Sequence, residues 1–239
     1  PEADFEEKVA DLYSRCWANY TDEAFLETVR LFHERFALND VDLSFLKGAR
    51  GLDAGCGSGR YTVAMAQCGA DEVVGVDLSQ RAVEWARAMA RRLGVAGIEF
   101  VQGSVLGLPT DWHGRFDFVC SNGVVHHTRD WRQGLREIYR VLRPGGLAYV
   151  FVYGAGGLFW DLVDRCRALV RPVPLDAAED WLKALGTPEG KIFHFLDFWY
   201  TPIQERLKRA EFEAELSKCG FAKLTELPRS YIYDASERL

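Results

Sequence analysis

Leu52-Asp53-Ala54-Gly55-Cys56-Gly57-Ser58-Gly59 is the stretch on which the fold turns. An apolar run that ends in an aspartate and continues through three alternating glycines reads as a strand handing over to a helix. Glycine there adopts positive φ and has no side chain to obstruct a ligand, so the backbone passes close to whatever the turn holds. Such loops hold nucleotides; a tight strand-to-helix turn that touches nothing is the plain alternative. The spacing is Gly-x-Gly-x-Gly, whereas the dinucleotide fingerprint needs a glycine one residue later, where this sequence has Arg60. That departure counts against a nicotinamide or flavin enzyme.

Around the loop, from Arg50 onward, short apolar runs alternate with helical segments, the pattern of a parallel sheet covered on both faces. Five strands are expected, over Gly51 to Asp53, Glu72 to Asp77, Ile98 to Val101, Phe116 to Ser121 and Leu147 to Tyr153. Ser79 caps an expected helix that carries Val83, Ala86, Ala90 and Leu93 at helical spacing and stops at Gly94. Trp131, Leu135, Ile138 and Leu142 mark another that ends before Pro144, and Arg143-Pro144-Gly145-Gly146 reads as a turn into the fifth strand. Ahead of the core lie two amphipathic patterns, Phe5, Val9, Leu12 and Cys16, then Phe25, Val29, Phe32 and Phe36 after the cap candidates Thr21 and Asp22. Beyond Tyr153, helical fragments such as Phe159 to Val170 are separated by Pro172, Pro174, Gly186, Pro188 and Gly190, and the density of aromatics marks a folded insertion. A helix over Glu211 to Lys218, the stop Gly220 and an extended segment over Phe221 to Leu227 follow, with Tyr231 to Tyr233 as a candidate final strand.

The expected architecture is α/β, a Rossmann-like doubly wound and mostly parallel sheet with a helical N-terminal cap and a helical insertion after the fifth strand. One domain spans residues 1–239, divided into the cap (1–46), a cofactor-binding core (47–153), the insertion as a lid (154–209) and a C-terminal helix with strands (210–239). The formal net charge of −6 spreads over interleaved acidic and basic residues, which disfavours a nucleic-acid partner. Six scattered cysteines without a Cys-x-x-Cys pair read as free thiols in a reducing compartment, not as a disulfide framework or zinc site. No apolar run reaches the roughly 18 residues of a membrane span, and the acidic start does not resemble a secretory signal. A cytoplasmic protein without a membrane or nucleic-acid partner is expected; nothing in the sequence reads on its oligomeric state.

Two carboxylates sharpen the ligand. Asp77 closes the second strand, where it can accept hydrogen bonds from both hydroxyls of a ribose; capping the next helix is its other reading. Asp53, ahead of the glycines, can pair with the ammonium of an amino acid moiety, directly or through water. A ligand with adenosine at one end and an amino acid at the other fits both.

On these residues the chain resembles the class I S-adenosylmethionine-dependent methyltransferases. Leu52 to Gly59 is similar to their first motif, Val76-Asp77-Leu78-Ser79 to their second, and Leu142-Arg143-Pro144-Gly145-Gly146 to the turn before their fifth strand, in the right order from about Arg50 to Tyr153. The resemblance implies S-adenosylmethionine as cofactor, with Asp77 on the ribose, Leu78 against the adenine, and Asp53, Gly55, Cys56, Gly57 and Gly59 around the methionine part. Where that family commonly has an acidic residue at the adenine amino group, this chain has Ser104, followed by Val105; the hydroxyl can still accept a hydrogen bond, but the adenine contact departs from the pattern. In the segment Ser121-Asn122-Gly123-Val124-Val125-His126-His127-Thr128 the resemblance places Asn122 near the methionine end and one histidine toward the acceptor.

Methyl transfer from a sulfonium needs positioning, desolvation and sometimes a base. His126 and His127 are the candidates, since a neutral imidazole can take a proton from an attacking amine or hydroxyl; capping the next helix and lining the cofactor pocket is the competing reading. No ligand cluster accompanies them, so no metal is expected. Tyr13, Trp17 and Tyr20 share one helical face and either close over the cofactor and acceptor or pack on the domain. Tyr153, Asp197, Trp199 and Tyr200 form an acceptor pocket or belong to the core of the insertion; an aromatic box with one carboxylate suits an amine or cation. The expected activity is methylation of a nitrogen or oxygen of a small-molecule acceptor. Methylation of a peptide or protein side chain, and a cofactor-binding subunit without catalysis, are the alternatives.

Overall fold

Runs of small and β-branched residues between turn-forming glycines build the centre of the molecule. The computed structural model describes residues 8–9, 11–13 and 21–228. Five strands, β1 (Arg50–Ala54), β2 (Glu72–Asp77), β3 (Ile98–Gln102), β4 (Phe116–Asn122) and β5 (Leu142–Phe151), form one sheet in the order β3-β2-β1-β4-β5. Every pairing is parallel, with Leu52 of β1 opposite Val74 on one side and Val119 on the other. Alternation along the strands divides the core: Leu52, Val74 and Val119 point into one apolar cluster, Val73, Phe118 and Cys120 into a second on the opposite face. The chain is therefore doubly wound, and strand order reverses between β1 and β4, the place where open α/β sheets leave a crevice beyond their carboxyl ends.

Helices cover both faces. Thr21 caps α1 (Asp22–Leu38), whose Phe25, Val29, Phe32 and Phe36 enter the second cluster beside α2 (Arg60–Gln67). Ser79 caps α3 (Gln80–Arg92) and Asp130 caps α4 (Trp131–Val141), each by accepting a backbone N–H three residues on. Trp131, Leu135 and Ile138 of α4 fill the first cluster. The insertion supplies α5 (Leu158–Val170), α6 (Leu175–Ala184) and α7 (Glu189–Tyr200), and its two ends meet where Gly154 bridges Leu207 beside β5. The helical residues at 11–13 reach this insertion: Leu12 is buried against Ala178, Leu182, Ile192 and Leu196. After α8 (Arg209–Cys219), Gly220 takes φ 111° and ends the helix.

Two expectations are corrected. β5 begins at Leu142 instead of Leu147: Leu142 pairs with Phe116, the ladder resumes at Leu147 opposite Phe118, and Arg143–Gly146 bulge out between them. Asp117 fixes this bulge by accepting both the Arg143 guanidinium and the Arg50 backbone N–H. Residues 221–228 join no strand, so the described sheet is wholly parallel with no sixth member. Phe5, Cys16 and the segment Tyr231 to Tyr233 lie outside the described residues. Among those described, no helix is long and apolar enough to cross a membrane.

The loop after β1 fits against the segment after β4 without room for a side chain. Gly55 has φ 88°, and a Cβ there would stand 2.4 Å from Val124 Cγ2. Gly55→Ala is expected to lower stability in denaturant unfolding by roughly 2–5 kcal/mol, the sum of backbone strain and overpacking. Adding Val124→Ala should return the packing part; a Gly55→Ala protein as stable as the parent contradicts this fit.

Candidate functional site

The glycine loop is tied to the end of β2. Gly55 and Cys56 donate backbone N–H bonds to the Val76 carbonyl at 2.8 and 2.9 Å, and Gly57 N–H donates to Asp77 Oδ2 at 2.8 Å. Ser79 N–H donates to Asp77 Oδ1 at 2.9 Å, so each oxygen of this carboxylate holds one backbone donor and keeps lone-pair capacity for another. The capping and ligand-binding readings of Asp77 are thus compatible. Burial raises its pKa against these stabilising backbone bonds. Asp53 lies buried beneath the loop and accepts Thr62 Oγ1–H at 2.8 Å. Burial pushes its pKa up to about 6, moderated by the Thr62 hydrogen bond and the Arg60 charge.

A cavity of about 900 Å³ opens beyond the carboxyl ends of the strands, within the roughly 300–1,000 Å³ of small-ligand sites. Of the cofactor candidates, Asp53, Gly55, Cys56 and Gly57 line it, as do Asp77, Leu78, Ser104, Val105 and Asn122. Gly59 does not. It starts α2 at φ 78°, and a Cβ on it would meet the Phe100 ring at 2.8 Å, so it serves helix packing. Cys56 packs on Val83, Ala86 and Phe100, and burial drives its thiol pKa up. Ser104 Oγ accepts the Leu106 N–H at 3.2 Å. Asn122 Oδ1 accepts from Arg35 at 3.2 Å and from the Tyr149 hydroxyl at 3.4 Å. Arg35, which comes from α1, is buried and also lines the cavity; its place beside the apolar positions Phe32 and Phe36 was the one sequence signal available.

His126 and His127 sit in a short 3-10 turn, Val125–His127, immediately after β4. They part company there. His127 lines the cavity, with Nδ1 2.8 Å from the Ile203 carbonyl. A carbonyl only accepts, so Nδ1 carries the hydrogen and Nε2 presents its lone pair. Burial lowers the His127 pKa, against the opposing pull of Asp197 and the Ile203 carbonyl, which keeps the ring neutral at pH 7. His126 stays off the cavity wall: it is fully buried, 3.9 Å ring to ring from His127 and 4.3 Å from Tyr153, and neither ring nitrogen has a hydrogen-bond partner among the described residues.

The insertion closes the other side. Tyr13, Tyr153, Asp197 and Trp199 line the cavity, alongside rings such as Phe159, Phe193 and Phe198. Asp197 is buried and accepts three hydroxyls, from Tyr13 at 2.6 Å, Tyr153 at 2.5 Å and Thr201 at 2.8 Å. Tyr200 is not on the wall; its hydroxyl donates to the Val173 carbonyl at 2.9 Å and ties α7 to the turn after α5. Trp17 and Tyr20 lie outside the described residues.

Residues 52–150 match the family model described as a methyltransferase domain. The chain is 29% identical over 143 residues to the demethylmenaquinone methyltransferase of Lactococcus lactis subsp. lactis, covering 59% of this chain and 56% of that protein. It is 36% identical over 104 residues to the ubiquinone biosynthesis O-methyltransferase of Bordetella avium, covering 44% and 42%. The chain thus spans about half the length of the curated relatives it matches. Among solved structures, the complex between the Haloferax volcanii Trm112 methyltransferase activator and a methyltransferase aligns over 89% of this chain and 75% of that one, with a TM-score of 0.58 at 21% identity, which shows a shared fold.

The buried aspartate gives a direct check of the site's electrostatics. In a 13C NMR titration of the free protein, the Asp53 carboxyl should titrate at about 6, and Thr62→Val should move it higher by removing the donor that stabilises the anion. Because the folded value lies above the unfolded 3.8, this group's contribution to stability is present at low pH and is lost as pH rises toward 6. Titration at an ordinary carboxylate value contradicts the account.

Proposed function

We propose, from the premise that residues 52–150 belong to the class I S-adenosylmethionine-dependent methyltransferases, that the chain moves a methyl group from S-adenosylmethionine to a nitrogen or oxygen of a small-molecule acceptor. The observation that carries this reading is one continuous cavity. It joins the Asp53, glycine-loop and Asp77 half to a second half walled by His127 and the rings of the insertion. The residues present fit the cofactor: Asp77 keeps acceptor capacity for a diol, Asp53 supplies a carboxylate for an ammonium, and Gly103 and Gly123 line the cavity without side chains. The small-molecule acceptor is supported by relatives named as a demethylmenaquinone methyltransferase and a ubiquinone biosynthesis O-methyltransferase, and by the burial of His127 beside the insertion.

When bound, S-adenosylmethionine supplies a methyl group already activated on a sulfonium. The chain's own work is then to position, to exclude water and to take up a proton. Asp77 and Asp53 would hold the two polar ends of the cofactor. Phe151, Tyr153, Phe159 and Phe198 present ring surfaces where the acceptor docks, which removes water from its nucleophilic atom. For an acceptor that takes the methyl group as the bond from methyl to sulfur breaks and leaves a neutral thioether, the N–H or O–H proton would pass to Nε2 of His127, held in the base form by Nδ1–H on Ile203. The free thiols Cys56, Cys68, Cys120, Cys166 and Cys219 support a cytoplasmic setting.

The test is a mass-spectrometric screen for methyl transfer to phenol, amine and carboxylate metabolites and to short peptides. His127→Ala should lower turnover by about 10²–10⁴-fold, the usual worth of a general base, and leave cofactor affinity unchanged. Asp77→Ala should weaken cofactor binding instead. Since an ammonium selects the ionised Asp53, affinity for S-adenosylmethionine should be highest between about pH 6 and the ligand's own α-amino pKa of about 8, and fall below pH 6. Transfer to peptides alone, or to nothing, overturns the small-molecule reading, and full turnover in His127→Ala removes the base.

A further inference from the structure

Asp197 spends three of its acceptor sites on hydroxyls of the chain itself. Oδ1 accepts Tyr13 Oη–H and Thr201 Oγ1–H, Oδ2 accepts Tyr153 Oη–H, and the side chain is 3% exposed. An ionised carboxylate has about four lone-pair sites, and the two hydroxyls on Oδ1 fill that oxygen. The same Oδ1 stands 3.8 Å from His127 Nε2, too far for a hydrogen bond and near enough for a charge to be felt. Thr201 and Ile203 belong to one short segment after α7. One end of that segment is held on Asp197, and the other accepts the His127 Nδ1–H. Tyr153 meets the His127 ring edge-on at 90° and 5.4 Å, and the Tyr13 ring lies 5.7 Å away. The carboxylate therefore joins the N-terminal helical residues, the end of β5 and α7 around one imidazole.

We propose that Asp197, with Tyr13 and Tyr153, is a positioning cluster that orients His127 and sets its basicity, and that the carboxylate does not contact the acceptor. This rests on the reading of His127 as the base. Before transfer the hydroxyls occupy Oδ1 and leave Nε2 unbonded, so its lone pair faces the acceptor. After transfer the imidazolium lies beside the carboxylate, which offsets its buried charge. Tyr13 and Tyr153 moderate this attraction by sharing the negative charge. The other groups facing the ring act on the same balance: Arg167 of α5 disfavours the cation, as does a charge on His126 in the same turn. Arg167 also donates to the Phe198 and Thr201 carbonyls at 2.6 and 2.8 Å, holding the segment that carries Ile203. His194, one turn before Phe198 on α7, is kept neutral by burial, its pKa pushed down to about 4.

The experiment is a pH titration of the full chain labelled with 15N-histidine, read by long-range 15N–1H correlation and assigned with His127→Gln. The wild-type His127 signal should show the Nδ1–H tautomer at pH 7. Asp197→Asn, which keeps the shape and an acceptor for the hydroxyls, should lower the His127 midpoint by about one pH unit, the usual effect of losing a nearby opposite charge. Tyr13→Phe and Tyr153→Phe should each raise it, because the carboxylate then bears more of its charge toward the ring. Opposite shifts of this kind do not arise from loosened packing. Midpoints that stay put in folded variants, or that all move the same way, overturn the proposal; if Asp197→Asn does not fold, the two tyrosine variants decide. A rise in acceptor KM in Asp197→Asn with kcat and its acid limb unchanged also overturns it, by making Asp197 an acceptor contact. The titration uses no methyl donor or acceptor. Opposite shifts without any methyl transfer would therefore defeat the proposed function and keep the cluster, and transfer without the shifts would do the reverse.

Discussion

The hydrogen bonds that fasten the glycine loop to the end of β2 are the constraint on which the rest of the site depends. Gly55 and Cys56 both donate to Val76, and Gly57 donates to Asp77, so the loop and the second strand's terminal carboxylate have a single shared geometry. Gly55 and Gly57 both take positive φ, 88° and 50°, the left-handed backbone that glycine adopts at no steric cost. On the opposite side Val124 fills the space a Gly55 side chain would take, which fixes the turn bearing His127 relative to the loop. A backbone arrangement thus sets the separation between the glycine-loop half of the cavity and the turn that carries His127.

The second half of the cavity depends on longer connections. Chain beyond β5 leaves the sheet at Gly154, builds three helices and returns at Leu207, so the insertion begins and ends on one bridge. Its inner face meets His127 through Ile203 and Asp197, and the N-terminal helical residues join it through Leu12 and Tyr13. The sheet presents the face with the glycine loop and Asp77, and the insertion supplies the opposite wall and the surroundings of His127.

Much of this was legible from local pattern. The glycine loop, Asp77 at a strand end, Ser79 as a cap and the apolar periodicity of α3 and α4 are encoded within a few residues, and all of these elements formed. What escaped was set by distance along the chain. The early start of β5 depends on Asp117 joining Arg50 to Arg143 across a bulge. Arg35 reaches the cavity from a helix whose pattern reads as plain core. Tyr200 follows Trp199 by one residue, yet a helix turns about 100° per residue, and that step carries it off the wall toward Val173. The two histidines are adjacent in sequence and differ in access because the 3-10 turn aims only His127 at the cavity. The Tyr13 to Asp197 bond spans 184 positions, a pairing no local pattern announces.

We propose that the loop and Asp77 select an adenosyl amino acid over a dinucleotide. Calorimetric titration of the wild-type chain at pH 7.5, with S-adenosylmethionine in one experiment and NADH in another, tests it most directly. One-site binding of S-adenosylmethionine and no heat from NADH are expected. Saturable NADH binding with no response to S-adenosylmethionine would contradict it.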